Sequence, residues 1–432
     1  MLVSILRALA LAALVLTTLG AEDRSITVWW AQWAPADGLA KMGRAFEKET
    51  GIAVEVHQIP WPSFQNDVFL NFGKDQTDFD IVIGDSQWLG KAAESGWYLD
   101  LSDWIGTAVD LDSVHPQAKQ FLCEYPAGSG RYFAAPCETD AIGLAYRKDW
   151  FEDAANKAAF QKQFGRPLTV PVTWAELTEV ASFFQTPDEQ RWGVVMLTGR
   201  GYDALTMGFE QVLYAHGGSW GDPSSYQVSG HLDSPGAVQA ATVFKELCAL
   251  GPPNAVNSDY GDTLASFKNG STAMMLTYFA FFPDIVDTMG DKAGFATVPA
   301  GPAGHVISLG GQGMSISGKT SPAQQALAKE FIAWFSSAKW QQRWVTLPAC
   351  FTADAALLKT PEFREATSYN APFADSIDHL QDFWNVPEYG ELLEATQKYL
   401  GKILDNEMEP AAALKACAAA HEAIFKREGR LE

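Results

Sequence analysis

The sequence predicts an α/β protein made of two units, each a sheet flanked by helices. Segments typical of strands and of helices alternate from Ser25 onward, and strand, helix, strand at this spacing favours a parallel sheet. The 432 residues are too many for one ordinary core, and 47% of them are hydrophobic, which is ample material for two.

The first unit begins with the strand SITVWW and the helix DGLAKMGRAFEKETG, which Gly51 closes. The strand IAVEVHQI, a helix from Ser63 and the strand FDIVIG follow. In parallel sheets ligands bind beyond the carboxyl ends of the strands, and those ends here read AQWAP, PWPSFQND and DSQWLG. Each places tryptophan beside an amide or a carboxylate, so this edge is expected to bind a small polar molecule.

The second unit is predicted to begin near ETDAIGLAYRKDWF. The helix VTWAELTEVASFF, the strand RWGVVML, a helix leading to YAHGG, a helix ending at Gly270 and the strand TAMMLTYF continue it. SLGGQGMSISG and the helix SPAQQALAKEFIAWF then look like a return to the first unit. The remainder is predicted to be helical, ending in a long alanine-rich segment from Glu391 to Arg427.

The amino terminus has the features of a secretory signal peptide, predicted as residues 1–21. Arg7 precedes an apolar run from Ala8 to Leu19, and small residues near Ala21 suit cleavage. No cysteine follows the run for lipid attachment, and no later stretch has membrane-spanning length without charges or prolines. The mature chain is therefore expected to be soluble and exported.

The formal charge of −21 disfavours nucleic acid and anionic membrane surfaces as partners, because both need clustered Lys and Arg. A neutral or cationic ligand is compatible with it. The seven histidines are scattered, with no HExxH pattern and no cysteine pairs at zinc-finger spacing. No metal and no cofactor is predicted.

Five cysteines in an exported chain suggest one or two disulfides and leave at least one thiol unpaired. Cys123 and Cys137 are the preferred pair, because YPAGSGRYFAAP between them looks like a hairpin that brings its ends together. The alternative is that all five are reduced and buried.

Several motifs, in this order, resemble a known family: FEKETGIAVEV, FDIVIGDSQWLGKAAESGWYLDLSDWI, PCETDAIGLAYRKDWFE, VTWAEL, GSTAMML, VPAGPAGHVISLGGQGMSISG and AKEFIAWFSS. The pattern is similar to that of the extracellular solute-binding proteins of bacterial ABC importers, above all the sugar-binding, maltose-binding-protein-like group. The resemblance covers nearly the whole mature chain.

The resemblance implies a two-lobed periplasmic-binding-protein fold that holds its ligand between the lobes and crosses between them several times. It places the crossings near 136–139, 301–308 and 337–344. The implied lobes are 22–137 plus 302–338 and 138–301 plus 339–432. It also implies a protein with no catalytic step, which delivers its ligand to an ABC permease in the inner membrane. We therefore expect a periplasmic monomer.

Three departures from the family pattern bear on the ligand. Gly310, Gly311 and Gln312 stand where many relatives carry GGW, so an amide replaces a stacking ring. Cys137 lies at an implied crossing, and TYFAFF from Thr277 replaces the common glycine and tryptophan.

Sugar recognition needs flat aromatic faces and planar side chains that bond adjacent hydroxyls. Strand ends, the implied crossings and the departures from the family pattern yield these ligand-binding candidates: Trp33, Trp61, Asp85, Gln87, Glu138, Asp140, Tyr202, Trp220, Tyr278, Phe279, Gly311 and Gln312. Each tryptophan has an alternative role as a packed core ring. Asp85 and Gln87 have one as a helix cap and a solvated first-turn residue.

The expected ligand is a monosaccharide, an oligosaccharide or a sugar derivative; the alternative is a polyol or another non-sugar solute. A secreted glycoside hydrolase is the enzymatic alternative, with Glu138 paired with Asp140 or Glu210. The stretch GGSWG also fits the G-x-S-x-G nucleophile elbow, but a helix-like segment precedes it and a turn follows, which disfavours catalysis there.

Overall fold

The computed structural model describes residues 24–253 and 255–432, so the predicted signal peptide lies outside the described residues. No helix in the described ranges has the length and apolarity needed to cross a bilayer.

The predicted alternation of strands and helices is confirmed. The strands are β1 (Ser25–Ala31), β2 (Ala53–Ile59), β3 (Ile81–Asp85), β4 (Ala135–Arg147), β5 (Trp192–Val195), β6 (Thr272–Tyr278), β7 (Ala293–Thr297), β8 (Ile307–Ile316) and β9 (Leu380–Gln381). The helices of the first half are α1 (Ala34–Thr50), α2 (Trp61–Phe72), α3 (Leu89–Glu94), α4 (Ser102–Ala108), α5 (Pro116–Cys123), α6 (Lys148–Glu152), α7 (Ala154–Phe164), α8 (Trp174–Phe184) and α9 (Ala204–Ala215). Those of the second half are α10 (Pro235–Ala249), α11 (Tyr260–Lys268), α12 (Phe282–Met289), α13 (Pro322–Phe335), α14 (Ala338–Trp344), α15 (Pro361–Arg364), α16 (Asn370–Ser376), α17 (Tyr389–Leu404) and α18 (Pro410–Arg427).

The amino-terminal part of the sheet is parallel, as predicted. β1 lies between β2 and β3 and pairs with both in parallel. Helix α1 ends where predicted, because Gly51 adopts a left-handed conformation with φ of 72° and its N–H bonds to the Glu47 carbonyl. The helix predicted from Ser63 begins at Trp61 instead, with Pro62 in its first turn, where the missing N–H costs nothing.

Two long antiparallel strands join the halves of the molecule into a sheet of order β2-β1-β3-β8-β4-β6-β5. β8 pairs with β3 on one side and with Ala135–Ala141 of β4 on the other. The rest of β4, Ile142–Arg147, pairs with β6 and β7. β4 therefore belongs to both halves, whereas the lobe boundaries given above stay a prediction.

The alanine-rich carboxyl-terminal segment is two packed helices, α17 and α18, where the sequence suggested one long run. The break falls at 405–409, and Pro410 begins α18, since proline is tolerated in a first turn but not in a helix interior. Both helices pack against α10, and α17 also contacts α9.

The predicted Cys123–Cys137 disulfide is not formed; all five thiols are free, and four are buried. The predicted hairpin does form, and the hydrogen bond that joins its ends runs from the Phe133 N–H to the Cys123 carbonyl oxygen. Cys137 lies four residues further along, inside β4. Four strand residues span about 13 Å, well beyond the reach of a disulfide.

Gly311, in the centre of β8, has a φ of 93°, and a Cβ there would stand 2.3 Å from the Glu138 carbonyl oxygen. We expect Gly311→Ala to lower the free energy of unfolding by about 1–3 kcal/mol or more, because the backbone is left-handed and the clashing atom is main chain. Urea denaturation measures this. Gly106→Ala is the control, since a Cβ at Gly106 meets open space in α4 and alanine favours a helix; equal stability of both variants would contradict the prediction.

Candidate binding cleft

A cavity of about 600 Å³ lies where the carboxyl ends of β1, β2 and β3 meet β8 and the second half of the molecule. The first half contributes the residues just after β1 and β2, together with the end of β3. The second half contributes the loop before α9, the start of α11 and the end of β6. The parallel strands bring their ends to one edge, as the sequence predicted.

Nine of the twelve predicted ligand-binding residues line this cavity: Trp33, Trp61, Asp85, Gln87, Asp140, Tyr202, Tyr278, Gly311 and Gln312. The other three, Glu138, Trp220 and Phe279, do not. For the nine residues that line the cavity, a role in ligand binding remains a prediction, because only their position is observed.

Asp85 is the acceptor in a chain of hydrogen bonds between the two halves. The Trp88 Nε1 donates to the Tyr202 hydroxyl at 2.7 Å, and that hydroxyl donates to Asp85 Oδ2 at 3.1 Å. Burial raises the pKa of Asp85 to about 6, against these hydrogen bonds. Asp85 makes no side-chain cap to the turn after it, so the capping alternative is wrong.

The amides and indoles that line the cavity include buried polar atoms with no hydrogen-bond partner among the described residues. Gln312 accepts from the Trp30 Nε1 at 2.7 Å through its Oε1, and Gln87 is 2% exposed with its Oε1 unpartnered. The indole Nε1 atoms of Trp33 and Trp61 are buried without a partner. Buried donors are usually satisfied, so these atoms favour a ligand or water that accepts from them.

Asp140 reaches the cavity from β4 but is occupied by its own backbone. Its Oδ1 accepts from the Ala141 N–H at 2.8 Å and its Oδ2 from the Ala280 N–H at 3.1 Å. Burial raises the pKa of Asp140 to about 8, although these bonds oppose the shift. This carboxyl therefore ties β4 to the end of β6 at the cavity wall.

Glu138 and Phe279 are buried away from the cavity. Glu138 is fully buried, with both carboxyl oxygens unpartnered among the described residues, and burial together with the Asp140 charge raises its pKa far above the usual range. Phe279 packs on Phe282 and Phe373 and over Gly143, where a Cβ would come within 2.5 Å of its ring. The position of Phe279 after a strand did not predict a place in the cavity lining correctly, because its ring points into the core.

Trp220 is also a core residue, which contradicts the prediction that it lines the cleft. It is 2% exposed, packs edge-on against Phe209 and Phe383, and donates from Nε1 to Glu210 Oε2 at 2.7 Å. The turns around it put the backbone near the surface while the indole points inward.

The lining residues that were not predicted include Arg200, Asp203 and Tyr260. Asp203 accepts from the Tyr260 hydroxyl at 2.9 Å, and burial together with the Asp85 charge raises the pKa of Asp203 to about 8. Arg200 makes two hydrogen bonds to Asp405, at 2.6 and 2.8 Å, through its terminal nitrogens. The stretch TGRGYD after β5 was the available signal, since it too follows the carboxyl end of a strand.

The GGSWG stretch has the wrong context for a nucleophile elbow, as expected from the sequence. Helix α9 precedes it and turns follow, and Ser219 bonds to His231 at 3.1 Å outside the cavity lining. A nucleophile elbow needs a strand before the serine and a helix after it.

Residues 26–342 match the family model of the bacterial extracellular solute-binding proteins. This match spans most of the chain. The chain belongs to that family. The family resemblance stated from the motifs is thereby confirmed.

This solute-binding protein is similar to curated relatives across most of its length. One is a probable amino-acid ABC transporter periplasmic-binding protein of Sinorhizobium fredii, 24% identical over 375 residues, which are 85% of this chain and 80% of the relative. Another is the mannitol-binding protein of Pseudomonas aeruginosa, 25% identical over 254 residues, which are 56% of this chain and 52% of the relative.

Solved structures show the same two-lobed fold. An ABC transporter solute-binding protein from Agrobacterium radiobacter in complex with ribitol is 26% identical, with a TM-score of 0.79, covering 93% of this chain and 99% of that one. The maltose-bound MalE3 of T. maritima has the same TM-score and coverage at 24% identity. The predicted α/β, two-lobed fold is confirmed.

Replacing Trp220 tests its assignment to the core of this solute-binding protein. Trp220→Phe removes the hydrogen bond to the buried Glu210 and should lower the free energy of unfolding by about 1–3 kcal/mol, the cost of an unsatisfied buried acceptor. Urea denaturation measures it beside Trp104→Phe, a half-buried tryptophan away from the cavity. Equal stability of the two variants would place Trp220 outside the core.

Asp203 should make stability depend on pH. The unfolded carboxyl loses its proton near 3.8 and the folded one near 8, so the folded state holds more protons between these values. Stability then falls as pH rises across this window, by up to about 1.4 kcal/mol per pH unit for this group.

Asp203→Asn keeps an acceptor for the Tyr260 hydroxyl but cannot ionise, so its melting temperature should fall less between pH 5 and pH 8 than that of the native protein. The exposed Asp188→Asn is the control and should leave the pH profile unchanged. Identical profiles for Asp203→Asn and the native protein would refute this role of Asp203.

Proposed function

We propose that this solute-binding protein captures a sugar or a polyol in the cavity between its lobes and delivers it to the permease of an ABC importer. The observation that carries the proposal is the lining itself, which combines aromatic rings with carboxyls and an amide around unpartnered indole N–H groups. Rings suit the C–H faces of a polyhydroxylated ligand, and the polar groups suit its hydroxyls. The ribitol, maltose and mannitol in the names of similar proteins support the same ligand class.

The proposed mechanism is closure of the lobes around the solute. Trp88, Tyr202 and Asp85 already link the two sides of the cavity by hydrogen bonds, which supports a closed state bridged by polar contacts. A solute that contacts both sides lowers the free energy of the closed form, which the permease then recognises. The lobes we propose are 22–137 plus 302–338 and 138–301 plus 339–432, in an exported monomer cleaved near Ala21.

Binding without catalysis is part of the proposal. The glycosidase alternative paired Glu138 with Asp140 or Glu210, but Glu138 and Glu210 are buried outside the cavity. Neither pair is positioned to flank a glycosidic bond held there. Incubation with an oligosaccharide panel and product analysis tests this directly, and released monosaccharide would support the enzyme.

A thermal-shift panel of ribitol, D-mannitol, D-glucose and maltose, followed by calorimetry, tests the ligand class. At a hundredfold excess over Kd a bound solute adds about 2.7 kcal/mol to stability. Trp61→Phe keeps an aromatic ring but removes the unpartnered Nε1–H. The affinity for the solute should therefore fall by about one to two decades.

Trp104→Phe, outside the cavity, should leave that affinity unchanged. The proposal fails if no sugar or polyol in a broad panel shifts the melting temperature, or if Trp61→Phe and Trp104→Phe bind the solute equally.

A further inference from the structure

The cavity lining contains more acidic side chains than basic ones. Its lining includes five aspartates, namely Asp85, Asp140, Asp203, Asp259 and Asp262, against one arginine. That arginine, Arg200, is already paired with Asp405 through its two terminal nitrogens, Nη1 and Nη2. Within the described chain, the lining therefore offers no free cation to balance these carboxyls.

Three of the five aspartates are occupied by backbone groups. Asp259 and Asp262 form the capping box of α11, in which each side chain accepts from the other's backbone N–H. Asp140 accepts from the N–H groups of Ala141 and Ala280. The acids left with free capacity toward the cavity are Asp85 and Asp203.

Asp85 and Asp203 face the cavity from opposite halves of the molecule. Asp85 ends β3, and Asp203 follows Tyr202, the residue whose hydroxyl donates to Asp85. Each accepts one tyrosine hydroxyl on one oxygen, and among the described residues the other Asp85 oxygen has only a long 3.5 Å contact with the Ser86 hydroxyl. The charge of Asp85 also raises the pKa of Asp203, so the two carboxyls repel each other when ionised.

Aromatic rings surround this pair. The Trp61 and Tyr202 ring centroids are 5.7 Å apart, and Tyr260 lies 5.7 Å from Tyr278 and stacks on Phe281 at 5.9 Å. All five line the cavity. Ring faces attract cations, and the attraction is strongest where water is excluded.

We infer that the solute carries a protonated amine beside its hydroxyls, and that the ammonium lies between Asp85 and Asp203 against the tyrosine rings. The inference rests on the proposed function, which supplies the hydroxyl part of the ligand, and it narrows the ligand to amino sugars and amino polyols. An ammonium donates three hydrogen bonds and so uses the free carboxyl oxygens of both halves at once. The same contact would hold the lobes closed.

Calorimetry with matched pairs tests the inference: D-glucosamine with D-glucose, D-galactosamine with D-galactose, and glucamine with D-glucitol. The amine in at least one pair should bind about tenfold or more tighter than its hydroxyl partner, since hydrogen bonds to charged groups are worth about 1.5–3 kcal/mol. N-acetyl-D-glucosamine, which keeps the nitrogen without its charge, should lose this gain.

Asp85→Asn and Asp203→Asn, each nearly isosteric and each checked for native folding by circular dichroism, should both reduce the ratio of amine to hydroxyl affinity. Asp188→Asn, exposed and distant from the lining, should retain it. A preference for the amine that survives both cavity variants would overturn the position assigned to the ammonium.

Two other outcomes separate this inference from the proposed function. If neutral sugars or polyols bind as tightly as their amines, or tighter, in every pair, the amine is wrong and the proposed function stands. If no member of the panel binds, neutral or aminated, the proposed function fails and the inference fails with it.

Discussion

The pairing of β4 with β8 is the constraint on which the rest of the molecule depends. The two strands run antiparallel through the middle of the sheet, and β4 then continues into the second half. A glycine in β8 makes this approach possible, because a Cβ at Gly311 would stand 2.3 Å from the Glu138 carbonyl oxygen in β4. A side chain there would push the two strands apart, so this point of the cavity wall requires glycine.

The electrostatic character of the cavity comes from carboxyl groups that are buried and therefore poorly hydrated. Burial raises the pKa of Asp85, Asp140 and Asp203, because the ionised carboxylate is disfavoured unless hydrogen-bond donors or a positive charge stabilise it. Tyrosine hydroxyls and backbone N–H groups compensate in part. A solute-binding protein gains from this arrangement, because a solute that contacts both halves can make the hydrogen bonds that these side chains do not make with one another.

Sequence patterns located much of the cavity because strand ends in a parallel sheet converge. Trp33, Trp61 and Asp85 each follow or end a strand of the first half, and all three line the cavity. The same reasoning failed for Trp220, because turn signals report where the backbone lies and not where an indole points. It failed for Cys123 and Cys137 because the hairpin closes at Phe133, several residues before the second cysteine.

The sequence by itself determined the order of strands and helices, the parallel first half, the helix end at Gly51 and the family, since each depends on local spacing or on motif order. Only the tertiary structure decided that Tyr202 donates to Asp85 across the cavity and that Tyr260 donates to Asp203. It also decided that Glu138 is buried inside the sheet and outside the cavity lining. Those contacts join residues far apart in the chain, and their geometry is set by how β4 and β8 bring the two halves together, which no local pattern encodes.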